Sequence, residues 1–83
     1  MKSIENQRKS RIVKLKSTRK EVVLREYRES ISLTQAELGK LVGVDARTIS
    51  AYERETRKPS LKVAIKIAKV FNTHFENIFP NYD

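Results

Sequence analysis

Thr34-Gln35-Ala36-Glu37-Leu38-Gly39-Lys40-Leu41-Val42-Gly43-Val44-Asp45-Ala46-Arg47-Thr48-Ile49-Ser50-Ala51-Tyr52-Glu53-Arg54 is the run on which the fold turns. Thr34, followed three residues later by Glu37, is the capping-box pattern that starts a helix. The helix it predicts covers Gln35 to Val42, with Ala36, Leu38, Leu41 and Val42 apolar. Gly43 stands where a glycine ends a helix by taking a positive φ. Asp45 is a second N-cap, for a third helix over Ala46 to Arg54. A joint this short and glycine-containing builds two helices into a tight helix–turn–helix.

Working outward, Val23, Leu24, Tyr27 and Ile31 repeat at helical spacing, which predicts a first helix from Lys20 to about Ser30–Ser32. After the third helix a basic loop, Thr56-Arg57-Lys58-Pro59, leads to Ser60, which caps a fourth helix ending near Phe71. Asn72-Thr73 breaks that helix, and Phe75, Ile78 and Phe79 predict a short fifth one stopped by Pro80. On the fourth helix Leu61, Ala64, Ile65, Ala68 and Phe71 read as the core stripe, and Lys62, Lys66 and Lys69 as the wet face. Val63, Ile67 and Val70 form a third face, for the first helix, the fifth helix, the arm or another chain to cover. The expectation is an all-α fold: five helices over residues 20–83, with residues 1–19 as a basic N-terminal arm.

Composition narrows the function. The 83 residues include no cysteine, two glycines and one histidine, His74. Disulfides, thiolate metal sites, a histidine metal site and a glycine-rich phosphate cradle are therefore not expected. No Ser/His/Asp or Cys/His constellation is available, so no enzyme activity and no cofactor are expected. No apolar run approaches the ~20 residues of a membrane span, and a signal peptide's apolar core is missing. A cytoplasmic, nucleoid-associated protein is the expectation.

Charge points to a polyanion. The chain carries 18 Lys+Arg against 10 Asp+Glu, a formal net charge of +8. Residues 1–20 hold eight of the basic residues and one acidic, Glu5, so most of the excess lies in the arm. The arm residues Arg8, Lys9, Arg11, Lys14, Lys16 and Arg19 are expected to wrap phosphates or enter a groove. Few apolar residues and a like-charge bias predict an arm disordered in the free protein; Val13 and Leu15 alternate with Lys14 and Lys16 as in a strand, so a strand pairing across a dimer or with a partner, or a helix extension, is the rival reading.

On a helical wheel Ile49 and Tyr52 fall together, with Val44 entering beside them. Ala46, Arg47, Ser50, Ala51 and Arg54 fall opposite. An ordinary solvated face could carry the same stripe, but its short side chains also leave a DNA major groove, about 12 Å wide, open to close approach. Arg47 has the fork to reach guanine O6/N7, and Ala46 and Ala51 could meet thymine methyls, which makes Ala46, Arg47, Ser50 and Ala51 the expected base-contacting residues. The expected phosphate contacts are Thr34, Gln35, Asp45, Arg54, Arg57 and Lys58. Glu53 would repel DNA unless turned inward, and Arg28 on the first helix is its expected ion-pair partner.

Leu33-Thr34-Gln35-Ala36-Glu37-Leu38, Gly43-Val44, Thr48-Ile49-Ser50-Ala51-Tyr52-Glu53-Arg54, Pro59-Ser60-Leu61 and Ala64-Ile65-Lys66-Ile67-Ala68 together resemble the Cro/repressor-type (XRE-like) helix–turn–helix domain of phage and bacterial regulators. The resemblance covers roughly residues 21–79. It implies base contacts from Ala46, Arg47, Ser50 and Ala51, a phosphate contact from Gln35, an Arg28–Glu53 pair, and phosphate contacts from Arg54 and the loop beyond. It departs from the pattern at Ser32 and Glu55, where the family often has glycine: either these residues take a positive φ or the turns differ. Gly39 stands for the usual alanine, permitting close packing at ~1 kcal/mol of helix propensity. Two alanines in the recognition stripe imply modest intrinsic specificity or reliance on the arm.

The function expected is a sequence-specific, repressor-like regulator of transcription, its third helix in the major groove of a palindromic operator on double-stranded DNA. A weak homodimer, or one completed on DNA, would form around Phe75–Phe79 and the Val63/Ile67/Val70 face, or through the arm. The alternative is a protein-interaction module of the same fold, antitoxin-like or an adaptor, meeting its protein partner through the fourth helix or the arm.

Overall fold

A computed structural model describes residues 21–82, and over them the chain is all-α. Five helices follow one another: α1 Leu24–Ser30, α2 Gln35–Val42, α3 Ala46–Glu53, α4 Leu61–Val70 and α5 Phe75–Ile78, with no strand among the described residues. The expected arm contacts Arg8, Lys9, Arg11, Lys14, Lys16 and Arg19, and the strand reading around Val13 and Leu15, lie outside the described residues.

Local chemistry sets most boundaries. Thr34 Oγ1 accepts the Glu37 N–H at 3.0 Å while the Thr34 N–H donates to Glu37 Oε1 at 2.8 Å, closing the capping box at α2. Asp45 accepts the Thr48 N–H at 2.8 Å, and Ser60 Oγ accepts the Val63 N–H at 3.2 Å. Gly43 ends α2 at φ 86°, its N–H donating to the Gly39 carbonyl at 2.8 Å. The Val44 N–H donates to that same carbonyl at 2.9 Å, which draws the turn onto α2. A Cβ on Gly39 would overlap the Val44 carbonyl oxygen, so the glycine gives the turn its room.

Three other helices end on a left-handed residue that is not glycine: Ser32 (φ 57°), Glu55 (φ 62°) and Asn72 (φ 54°). At Ser32 and Glu55 the turns are retained and the backbone carries the strain, ~1–2 kcal/mol for a side-chain-bearing residue. The hydrogen bonds that hold them run from the Leu33 N–H to Arg28 O at 3.1 Å and from the Thr56 N–H to Ala51 O at 3.0 Å.

Every helix contributes to one core. Leu24, Leu38, Ile49, Ile67 and Ile78 are its largest fully buried side chains, joined by Val42, Tyr52, Ala64, Ala68 and Phe79. Tyr27 of α1 meets Phe71 at the end of α4, ring centroids 5.6 Å apart.

Three expectations are corrected. Among residues 21–82, α1 begins at Leu24, because Val23 and Val22 are held to distant partners: the Val23 N–H donates to Ile78 O at 3.1 Å and the Val22 N–H to Glu55 Oε2 at 3.3 Å. The core face of α4 is Ala64, Ile67 and Ala68, with Val63, Val70 and Phe71 packed beside it, while Leu61 and Ile65 are 48% and 40% exposed. This helix is apolar over more than half its circumference, so its own pattern does not choose the inward side; α2 and α5, which pack on it, do. Finally, Ile67, Ile78 and Phe79 are buried within the chain itself and are not free to form the expected dimer face.

Candidate nucleic-acid interface

The orientation of α3 follows from its two anchors. Ile49 and Tyr52 are buried, and Val44 packs against the core just before the helix, which turns the other side of α3 outward. On that side Arg47 and Arg54 are exposed, and Ala46, Ser50 and Ala51 are half-buried. Arg54 Nε donates to Ser50 Oγ at 3.2 Å, so two residues of the stripe are already joined. The Ser50 hydroxyl still has its own proton to donate.

A polar knot ties this helix to α1 and α2. Arg28 Nε donates to Glu53 Oε2 at 2.6 Å, and Nη2 donates to Oε1 at 3.2 Å, the two-pronged geometry a guanidinium makes with a carboxylate. The remaining Arg28 nitrogen, Nη1, donates to the Leu33 carbonyl at 2.8 Å. The pair is dry: the Arg28 and Glu53 side chains are 9% and 5% exposed. The Glu53 hydrogen bond pushes the Arg28 pKa upward from its ordinary value, outweighing the opposing effect of burial.

Glu53 also takes a third hydrogen bond. Gln35 Nε2 donates to Glu53 Oε1 at 3.0 Å, so the first side chain of α2 is fixed by the last residue of α3. Sequence reasoning placed Gln35 toward DNA and Glu53 toward Arg28 without seeing that one carboxylate holds both. One Gln35 N–H and its amide oxygen remain available to an outside partner.

The other expected phosphate contacts differ in their freedom. The Thr34 hydroxyl oxygen accepts within the capping box and keeps its proton. Asp45 is another matter. Its hydrogen bonds with Thr48 hold its carboxyl below the ordinary 3.8, so it is an anion at neutral pH and could meet a phosphate only through its backbone N–H. Arg54, Arg57 and Lys58 are exposed in sequence order after α3. Lys58 Nζ sits 4.5 Å over the Tyr82 ring, and the Tyr82 hydroxyl donates to Pro59 O at 3.0 Å, which braces the basic loop from the far end of the chain. Nothing in the local sequence around Lys58 announces that brace.

His74 caps α5 by position, with no side-chain hydrogen bond to the helix start. No group of His, Cys, Asp and Glu that could hold a metal occurs among the described residues, and no helix among them is long and apolar enough to cross a membrane.

The family model described as helix-turn-helix matches residues 24–78, from the first residue of α1 to the last of α5. An uncharacterised HTH-type transcriptional regulator of Archaeoglobus fulgidus is 48% identical over 56 residues, 68% of this chain and 79% of its own length. One from Bacillus subtilis is 38% identical over 56 residues, 68% of this chain and 85% of its own. Among solved structures, the P22 c2 repressor crystallised with the synthetic operator 9T is similar at a TM-score of 0.64 and 29% identity. That match covers 66% of this chain and 83% of the repressor chain.

Proposed function

Because the chain belongs to the helix-turn-helix family of transcriptional regulators, we propose that it binds double-stranded DNA sequence-specifically, with α3 in the major groove and a repressor-like role. The observation that carries this reading is the outward stripe of α3, held in place by the Arg28–Glu53–Gln35 knot behind it. A helix whose inner side is locked by a dry ion pair presents its outer side in one orientation, which base readout requires. The P22 c2 repressor, similar in structure, was crystallised with an operator.

In this reading Arg47 reads guanine, Ser50 donates to a base edge, and Ala46 and Ala51 lie against thymine methyls. Thr34, Gln35, Arg54, Arg57 and Lys58 contact phosphates and fix the register, joined by the Asp45 backbone N–H. Two copies bind a palindromic operator, their α3 helices about 34–36 Å apart. The basic residues Arg8, Lys9, Arg11, Lys14, Lys16 and Arg19 add phosphate contacts. The protein acts in the cytoplasm, at the nucleoid.

The test is a selection from random duplexes, followed by titration of selected and random DNA over a range of salt, for the full chain and a form starting at Lys20. A site bound ~10³-fold or more above random DNA supports the proposal. A shallower salt slope in the shortened form supports the role of the basic residues before it. Equal, weak binding to both DNAs refutes it and favours the interaction-module alternative.

A further inference from the structure

A cavity of about 250 Å³ lies behind the basic loop, between the entry to α1, the end of α3 and the residues after α5. Val22, Pro59, Phe79 and Tyr82 give it apolar and aromatic walls. Tyr52, Glu55, Thr56, Arg57, Lys58 and Asn81 bring polar groups to it. Tyr52 is only 4% exposed, yet its hydroxyl makes no hydrogen bond to any described residue. A buried tyrosine hydroxyl ordinarily finds a partner, so this one is an orphan donor at the cavity. The contrast with Tyr82, whose hydroxyl is used by Pro59, is direct.

Arg57 is close enough to feel that hydroxyl. Burial pushes the Tyr52 pKa up from its ordinary 10.0, and the Arg57 charge pulls it partly back. Among the described residues Arg57 has no ion-pair partner, and Lys58 leans on the Tyr82 ring at the same cavity. The Glu55 carboxylate on the rim accepts the Val22 N–H. An orphan O–H donor and two cations thus converge on a space with apolar and polar walls, with the Glu55 carboxylate turned to the Val22 N–H at its rim.

We propose that this cavity is a site for a small organic anion, a single ring bearing one carboxylate. The carboxylate takes the Tyr52 hydroxyl and the Arg57 guanidinium, and the ring lies against Phe79 and Tyr82. The volume falls below the ~300–1,000 Å³ of pockets that hold drug-sized ligands, which limits the occupant to one ring.

Occupancy has a consequence that rests on the DNA-binding reading above. Arg57 and Lys58 are also the proposed phosphate contacts after α3, so a bound carboxylate and a DNA backbone draw on the same cations. Linkage makes the effect reciprocal: the carboxylate weakens DNA binding by the factor that DNA weakens the carboxylate. The cavity is then an inducer site.

The experiment titrates benzoate, with benzamide as its uncharged counterpart, into the full chain without DNA, followed by amide NMR shifts. The expected result is saturable binding of benzoate, with shifts centred on residues 52–59 and 79–82, and none of benzamide. Losing one hydrogen bond to a charged group corresponds to about tenfold or more in affinity, the weakening expected of Tyr52→Phe. Arg57→Gln, a change at an exposed position, gives a second reading that does not depend on the core. Equal binding of benzoate and benzamide, or no weakening in both variants, overturns the site. Selected DNA is then titrated at fixed ionic strength with benzoate or chloride. A lower DNA affinity in benzoate supports the coupling. Unchanged DNA affinity with benzoate bound overturns the coupling alone, and benzoate binding without any specific DNA binding overturns the DNA reading and leaves the site.

Discussion

Replacing Arg28 with alanine tests the knot that orients α3. The substitution removes three hydrogen bonds, two to Glu53 and one to the Leu33 carbonyl, and leaves a carboxylate that is 5% exposed without its counter-charge. Breaking a buried pair from one side costs ~3–5 kcal/mol, whereas an exposed pair is worth ~0–1 kcal/mol. The Gln35 amide still reaches Glu53, which places the cost toward the lower end of that range. Total stability for a domain of this size is roughly 3–9 kcal/mol, so Arg28→Ala should lose about a third of it or more. Urea unfolding followed by far-UV circular dichroism gives the difference directly. The double variant Arg28→Met with Glu53→Leu removes both charges and should recover most of the loss, because no buried ion remains. It should bind DNA worse than its stability predicts, since Gln35 loses the carboxylate that fixes it. A loss below ~1 kcal/mol for Arg28→Ala would refute the reasoning, because the pair would then behave as a solvated surface bridge.

Other consequences are smaller and separable. Ser32→Gly relieves a left-handed φ at a cost in unfolded-chain entropy, and should raise stability by up to about 1 kcal/mol, read from the urea midpoint. Thr34→Ala opens the capping box at α2 and should cost about 1 kcal/mol in the same assay, with Thr34→Ser recovering most of it. The folded-state pKa of Asp45 is depressed, so its contribution is present above the unfolded value near 3.8 and is lost as pH falls through the lower folded value. Asp45→Asn keeps the cap without the titration: its deficit in melting temperature should be present at neutral pH and shrink in acid, and a deficit constant across pH would contradict the assignment.

The elements legible in the sequence are those written in neighbouring residues. Thr34 with Glu37, Gly43 and Asp45 each satisfy or release backbone groups within four positions, and α2 and α3 begin at the residues these signals mark. Ile49 and Tyr52 are likewise inward, because two large apolar groups on an otherwise polar wheel leave one choice of core side. The fourth helix offers no such contrast, so Leu61 and Ile65 looked buried and are exposed. What stayed hidden depends on chain closure: the Val23 N–H on Ile78, the Gln35 amide on Glu53, and Tyr82 under Lys58 and against Pro59. Such contacts join residues 18 to 55 positions apart, beyond the reach of any local pattern.

The central claim is that the outer face of α3 reads base edges while the loop after it only holds phosphate. Selection from random duplexes with Arg47→Ala and, separately, with Arg57→Gln tests it most directly. The account predicts that Arg47→Ala relaxes the preferred sequence at one position of each half-site, a loss of about 1–3 kcal/mol against the best site. Arg57→Gln should weaken selected and random DNA alike and lower the salt slope by about one. An unchanged sequence preference in Arg47→Ala would contradict the placement of α3 in the groove.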